Sequence, residues 1–245
     1  MKARDKNMKL IITVVTLILL FFTSSCITKK RPRKPVQKVV TVEVQGTSGE
    51  LTIKGEVWAD NWFAFYSGSS LIIEDSVPIT TERSFNAESF IFKADYPLSL
   101  NFIVKDFKEN DTGLEYIGSS RQQLGDGGFI AQFTDLKTGK VIAVTDSDWK
   151  CKVIHEAPLD NSCVNESDPQ AGKAPCEYTA LEEPENWQEK DYDDSDWKNA
   201  TTHAESSVRP KDGYEQINWE QNAKLIWTDN LVTHNTILCR IQIKQ

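Results

Sequence analysis

Histidine is the scarcest chemistry-bearing residue of this chain, with His155, His203 and His234 the only three in 245 residues. So few leave little for a histidine-rich metal centre or for imidazole-driven catalysis. The sequence also lacks a Gly-x-Ser-x-Gly elbow, a His-Glu-x-x-His pair and a phosphate-binding loop. Gly125-Asp126-Gly127-Gly128 reads as a flexible turn, because no lysine and no helix follow it. No two cysteines stand as Cys-x-x-Cys, so a zinc site is rejected. Basic charge is sparse beyond the N-terminus. Of 28 bases and 36 acids, ten bases but only one acid (Asp5) precede residue 39, leaving 18 bases against 35 acids in 39–245. A body this acidic has no electrostatic footprint for a phosphate backbone, which excludes nucleic acid as a partner. Carboxylates are plentiful, yet no pair is marked by an apolar setting that would raise one pKa for glycosidase-type chemistry. The balance favours a binding or structural protein over an enzyme.

Apolar runs are short as well. Leu10–Phe22 is a charge-free stretch of 13 residues behind Lys2, Arg4, Lys6 and Lys9. A helix of that length covers about 20 Å, less than the roughly 30 Å hydrocarbon core, so it reads as a secretory signal and not as an anchor. Phe22-Thr23-Ser24-Ser25-Cys26 resembles a bacterial lipobox, with Thr23 in place of the usual leucine-like residue. The resemblance implies a signal peptide over 1–25, lipidation at Cys26 and attachment to a lipid bilayer at the cell envelope. Ile27 stands where an inner-membrane retention signal commonly has aspartate, which implies the outer membrane if the source is Gram-negative. Residues 26–38, with six bases, Pro32 and Pro35, read as a solvated, extended linker.

With Cys26 assigned to lipid, Cys151, Cys163, Cys176 and Cys239 remain, an even number in an exported chain. Disulfides are the default there, in any of three connectivities. A bridge between Cys163 and Cys176 would close a polar loop near 157–183 and stabilise it by about 2–4 kcal/mol. Cys151 and Cys239 lie in strand-like runs, where a cross-strand or inter-sheet bridge is reasonable.

From Val39 onward, short runs rich in β-branched and aromatic residues alternate with turn residues. Strands are predicted over 39–45, 51–58, 61–66, 70–74, 88–93, 98–105, 129–134, 140–145, 150–154, 224–227 and 236–243. In the last run Ile237, Cys239, Ile241 and Ile243 share one face and Leu238, Arg240 and Gln242 the other, a strand with one buried side. No segment sustains a helical period. The expectation is one all-β sandwich over 39–245.

Three motifs refine it. The first is Ala59-Asp60-Asn61-Trp62-Phe63, followed by Tyr66-Ser67-Gly68. The second is Thr145-Asp146-Ser147-Asp148-Trp149-Lys150. The third runs from Trp187 through Asp191-Tyr192-Asp193-Asp194-Ser195-Asp196-Trp197 to Ala200. Aspartate and serine side chains satisfy free backbone N–H groups in turns, and each tryptophan that follows is placed to fill the sandwich core. Together these motifs resemble the galactose-binding-like jelly-roll modules attached to bacterial glycosidases. Ser67 replaces the usual turn asparagine, and Tyr192 a commoner phenylalanine. The resemblance covers most of 57–200 and implies a jelly roll, carbohydrate binding and often a structural Ca²⁺. No catalytic domain follows in this sequence, so the module is expected to stand alone.

Site candidates come from the long irregular stretch 106–128 and from aromatic residues. Asp106, Glu109, Asn110, Asp111, Glu115 and Asp126 are oxygen donors suited to Ca²⁺, with Asp106, Asn110, Asp111 and Asp126 the expected ligands, although Lys108 breaks the EF-hand spacing. Asp60-Asn61 reads as a turn in preference to a ligand pair. Trp58, Trp62, Trp149, Trp187, Trp197 and Trp227 occupy positions that core packing claims. Trp219, among polar neighbours, is the best candidate for stacking on a sugar, with Tyr116 and Arg121 next. The leading expectation is a non-catalytic lipoprotein that binds a polysaccharide or glycan. The rival is a structural or protein-interaction module of an envelope complex.

Overall fold

Each of the eleven predicted runs contains a strand. The computed structural model describes residues 38–84 and 86–245. The expected signal peptide, the Cys26 lipidation site and all of the linker but Lys38 lie outside the described residues, which belong to one unit, Val36–Gln245. In chain order the strands are β1 (Thr41–Glu43), β2 (Leu51–Asp60), β3 (Trp62–Ser67), β4 (Ser70–Glu74), β5 (Ala87–Ala94) and β6 (Leu98–Lys105). A small hairpin, β7 (Leu114–Glu115) and β8 (Gln123–Leu124), lies inside the stretch expected to be irregular. Next come β9 (Gly128–Asp135), β10 (Lys140–Val144), β11 (Lys150–Glu156), β12 (Thr179–Ala180), β13 (Lys198–Asn199), β14 (Thr201–His203), β15 (Leu225–Trp227) and β16 (His234–Ile243). The only α-helix among the described residues is the single turn Glu205–Val208, and no helix there is long and apolar enough to cross a membrane.

Two seven-stranded sheets result. One has the order β1-β5-β2-β9-β15-β14, with β10 paired to β9. The other has the order β12-β11-β16-β6-β3-β4, with β13 paired to β11. Their facing sides bury a phenylalanine cluster. The ring of Phe65 lies 4.8 Å from that of Phe102 in its own sheet. It lies 5.5, 5.4 and 5.2 Å from Phe90, Phe92 and Phe133 of the other. Period-two alternation delivers these contacts, since Phe63 and Phe65 point inward while Ala64 and Tyr66 point out. Trp149 joins them, with its indole N–H donating to the Val144 carbonyl.

The outer faces are covered too, which corrects the reading of β16 as buried on one side. Leu238 and Arg240 are both buried, Arg240 at 3% exposure. The segment carrying the third motif lies over them. Trp187 and Trp197 pack on Ala64, Ile103 and Leu238, outside the core they were expected to fill. Arg240 donates to the Glu189 and Tyr192 carbonyls and pairs with the Asp194 carboxylate. On the opposite flank, Val208, Ile217 and Ala223 cover Trp58 and Ile130. Thus five of the six tryptophans assigned to packing are buried, and Trp62 is half-covered beneath the Lys105 ammonium.

Both bridges form. Cys151 faces Cys239 across the β11–β16 ladder, so that link is cross-strand within one sheet, and Cys163 joins Cys176. If the Phe65 cluster holds the sheets together, Phe65→Ala should cost about 3–5 kcal/mol in chemical denaturation. Leu71→Ala, at an exposed position, should cost below about 0.5 kcal/mol. Equal losses in the two variants would contradict this account of the core.

Candidate functional site

Three strand ends meet at one end of the sandwich. Asp60 closes β2, paired with Gly128 at the start of β9, and Asp106 follows β6 directly. Backbone bonds hold the junction: Asn61 N–H donates to the Lys105 carbonyl at 2.7 Å, and Asp106 N–H to the Asn235 carbonyl at 2.8 Å. Asp126, in the turn before β9, completes the group. One carboxylate oxygen from each of Asp60, Asp106 and Asp126 lies within 4.8 Å of the others.

Asp60 and Asp106 are buried, at 1% and 2% exposure. Asp60 Oδ2 and both carboxylate oxygens of Asp106 have no hydrogen-bond partner. The Phe107 N–H donates to Asn61 Oδ1 at 2.6 Å and, lying beside Asp106 as well, weakly favours the charged form of that carboxylate. Burial pushes both carboxyls well above the usual range, and repulsion by neighbouring carboxylates adds to it. Asp126 is more open. It pairs with Arg209 at 3.2 Å and lies 3.9 Å from the Lys211 ammonium. Gly125 backs Asp106 so closely that a Cβ there would run into Asp106 Oδ2.

Asp126 also borders a cleft of about 240 Å³ with Glu82, Arg83, Glu115, Tyr116, Gln123, Lys211 and Asp212. Glu115, on β7, is 2% exposed and accepts from the Gln123 amide at 2.5 Å. Burial, then repulsion from Asp126 and Glu82, pushes its carboxyl up to about 7. Tyr116 takes a left-handed backbone, φ 53°, and its hydroxyl meets Glu82 and Arg83. The Arg121 guanidinium stacks 3.9 Å from the Tyr116 ring centre. Glu82 and Arg83 belong to the loop between β4 and β5. Ser84 Oγ fastens that loop by accepting from Thr80 and Thr81 N–H, and Asn61 by donating to the Glu82 carbonyl.

The structure therefore brings together Asp106 and Asp126 of the four expected metal ligands, and adds Asp60. Asn110 and Asp111 are corrected to other roles. Asn110 Oδ1 accepts from Thr112 N–H, and Asp111 pairs with Lys108 and with His155 Nε2. Asp60 is no turn residue, because it continues β2 to its last ladder position. Tyr116 borders the cleft with Arg121 stacked on it. Trp219 does not line the cleft: its half-buried indole lies tilted against the Tyr214 ring, centres 5.7 Å apart, and donates to the Tyr214 carbonyl. Glu115, offered by the sequence only as one oxygen donor of the loop, is buried at the cleft, and nothing in the sequence around it announces that burial. A larger recess of about 440 Å³ opens near the β3–β4 turn, lined by serines, glycines, Lys93 and Lys190. The cleft beside Asp126 is the better site, because the buried Glu115 carboxyl lines it together with Glu82 and Asp126.

Asp75 gives the loop between β4 and β5 a pH response. Its Oδ1 accepts from Val77 N–H, its Oδ2 has no partner, and burial followed by repulsion from Glu88 raises its pKa to about 8. The protonated form is favoured by folding, so this contribution is complete below about pH 4 and is lost as pH rises through about 8. Asp75→Asn should stabilise the protein at pH 9 by roughly 1–3 kcal/mol and flatten that part of its pH–stability curve. An unchanged curve in denaturant titrations from pH 4 to 9 would exclude the buried-carboxyl account. No protein-family model, curated protein or solved structure matches the chain.

Proposed function

We propose that the chain is a non-catalytic carbohydrate-binding lipoprotein of the cell envelope, built on a galactose-binding-like jelly roll. The observation that carries the reading is the cleft beside Asp126. Its volume of about 240 Å³ suits one sugar ring with its water. Around it stand the groups that hydroxyl pairs need: Glu82, Glu115, Asp126 and Asp212 as acceptors, and Arg83, Lys211 and the Gln123 amide as donors. Tyr116 supplies an aromatic ring at the rim. A left-handed backbone at a tyrosine costs about 1–3 kcal/mol, and strain of that kind clusters at binding sites. The lipid anchor rests on the lipobox resemblance at Cys26, and the outer-membrane placement on Ile27.

A second reading has one specific observation in its favour. Glu115, raised to about 7 in a cleft with other carboxylates, has the protonation behaviour of a glycosidase acid. Release of reducing ends from a bound polysaccharide, abolished by Glu115→Gln, would establish it over simple binding.

The test is a glycan and polysaccharide panel screened with the full chain, oxidised, in a detergent without a sugar headgroup. Tyr116→Ala and Gln123→Ala should each weaken the best ligand at least about tenfold, which is 1.4 kcal/mol. Trp219→Ala should leave affinity unchanged and lower stability. Undiminished binding by both cleft variants would remove the cleft from consideration. Silence across the panel by folded protein would favour the interaction module.

A further inference from the structure

The larger recess, of about 440 Å³, shares no lining residue with the cleft beside Asp126. β6 separates it from the aspartates: Ser99, near the start of the strand, lines the recess, and Asp106 follows its last residue. The walls are the loop between β1 and β2, the turn between β3 and β4, the end of β5 with the turn after it, and part of the segment laid over β16. Hydrogen bonds fix these pieces to one another. Thr47 Oγ1 accepts from Lys93 N–H at 3.0 Å, which fastens the first loop to β5. Gly68 N–H donates to the Ser99 carbonyl at 2.8 Å, and the Asn101 amide to the Gly68 carbonyl at 3.0 Å. The Glu189 carbonyl accepts from Arg240, and the Lys190 carbonyl from the Gln242 amide, both at 2.8 Å.

Donors without acceptors dominate these walls. Period two sends Leu98 and Leu100 into the core and Ser99 to the other face of β6. Ser99 is 4% exposed and its Oγ has no hydrogen-bond partner, although a buried hydroxyl normally has one. Among the described residues, the hydroxyls of Ser48, Ser67, Ser69 and Ser70 make no hydrogen bond either. The Lys93 and Lys190 ammonium groups have neither a hydrogen bond nor an ion pair there. Two carboxylates also border the recess. Asp95 Oδ1 accepts from Glu50 N–H at 2.8 Å, while the Glu189 carboxylate accepts from no described residue. Ammonium groups only donate and hydroxyls can donate, so the matching ligand is rich in acceptor oxygens. A planar carboxylate presents two oxygens, whereas an esterified sulfate or phosphate presents three, aimed in different directions as the separate walls require. We propose that this recess binds the tetrahedral oxyanion of a sulfate or phosphate ester. Lys93 and Lys190 supply the opposite charge, and the serine hydroxyls supply hydrogen bonds. The volume falls within the roughly 300–1,000 Å³ of small-molecule sites, which leaves room for part of the group that carries the ester.

Calorimetric titration of the oxidised full chain at low salt, in the same detergent, tests this with five probes. They are inorganic phosphate, inorganic sulfate, glucose 6-phosphate, glucose 6-sulfate and glucose. At least one ester should bind, one per chain, with a dissociation constant of about 1 mM or tighter, and added salt should weaken it. The inorganic ions should displace that ester and glucose should not. Lys93→Ala and Lys190→Ala should each weaken it at least about fivefold. Glu189→Gln should tighten it, because the unengaged negative charge is removed. Ser99→Ala should weaken it without lowering the Tm of the free protein, since the hydroxyl lost has no partner there. Lys173→Ala, in the loop closed by Cys163 and Cys176, changes net charge equally and should bind as the parent does. The proposal is overturned if folded protein binds neither ester at millimolar concentration. It is overturned as well if both recess lysine variants bind like the parent, if Glu189→Gln weakens binding, or if glucose displaces the ester. Tighter binding of the phosphate ester names phosphate as the source and the reverse names sulfate, and either supports the site. Ester binding by a protein silent on the glycan panel would uphold this site and remove only the cleft reading.

Discussion

Packing of aromatic rings between two sheets is the constraint on which the molecule depends. Phe65 touches rings from both sheets, and each ring buried in this way contributes about 1.5–3 kcal/mol relative to exposure. The same strands carry the acids. β2 brings Val57 and Ala59 into the core and then ends in Asp60. β6 brings Phe102 and Val104 and is followed by Asp106. Once the apolar residues are seated, the carboxylates have no freedom to separate. Mutual repulsion of like charges at this range is the cost that a rigid core can hold and a loop cannot.

The covering segments extend the same principle outward. A strand with one apolar face would leave Leu238 and Ile103 in water on one sheet, and Trp58 and Ile130 on the other. Irregular chain is laid over both, fixed by a few strong polar contacts more than by secondary structure. Arg240 is the clearest case. Its guanidinium has left water entirely, and the carbonyls of Glu189 and Tyr192 and the Asp194 carboxylate replace that solvation. An arginine on a strand is therefore compatible with full burial where the overlying chain supplies acceptors.

These contacts explain what could be read in advance. Strands are local, so period two and β-branched content are enough to place eleven of the twelve strands of three residues or more, missing only β14, and the two bridges are one of the three connectivities that the cysteines allow. Contacts between the strands and the segment 184–199 are nonlocal, and Leu238-Arg240-Gln242 looks like a solvated face until that segment is seen. Asp60 was hidden for the same reason: its partners, Asp106 and Asp126, are 46 and 66 residues away. Asn110 and Asp111 were close to Asp106 in sequence, but a short turn and the pair with His155 had prior use of them. Proximity along the chain was misleading where convergence of strand ends decided the outcome.

Between β11 and β16 the chain makes a long excursion, and it is this excursion that covers both outer faces. Cys151 and Cys239 lie on the two strands that bound it and are joined across 88 residues. The excursion is thereby a loop closed by a covalent staple at its base. A protease that cuts an exposed bond within it produces a nick and not a fragment: the two pieces migrate together until a reductant is added. A chain stapled in this way can be broken and still remain one molecule.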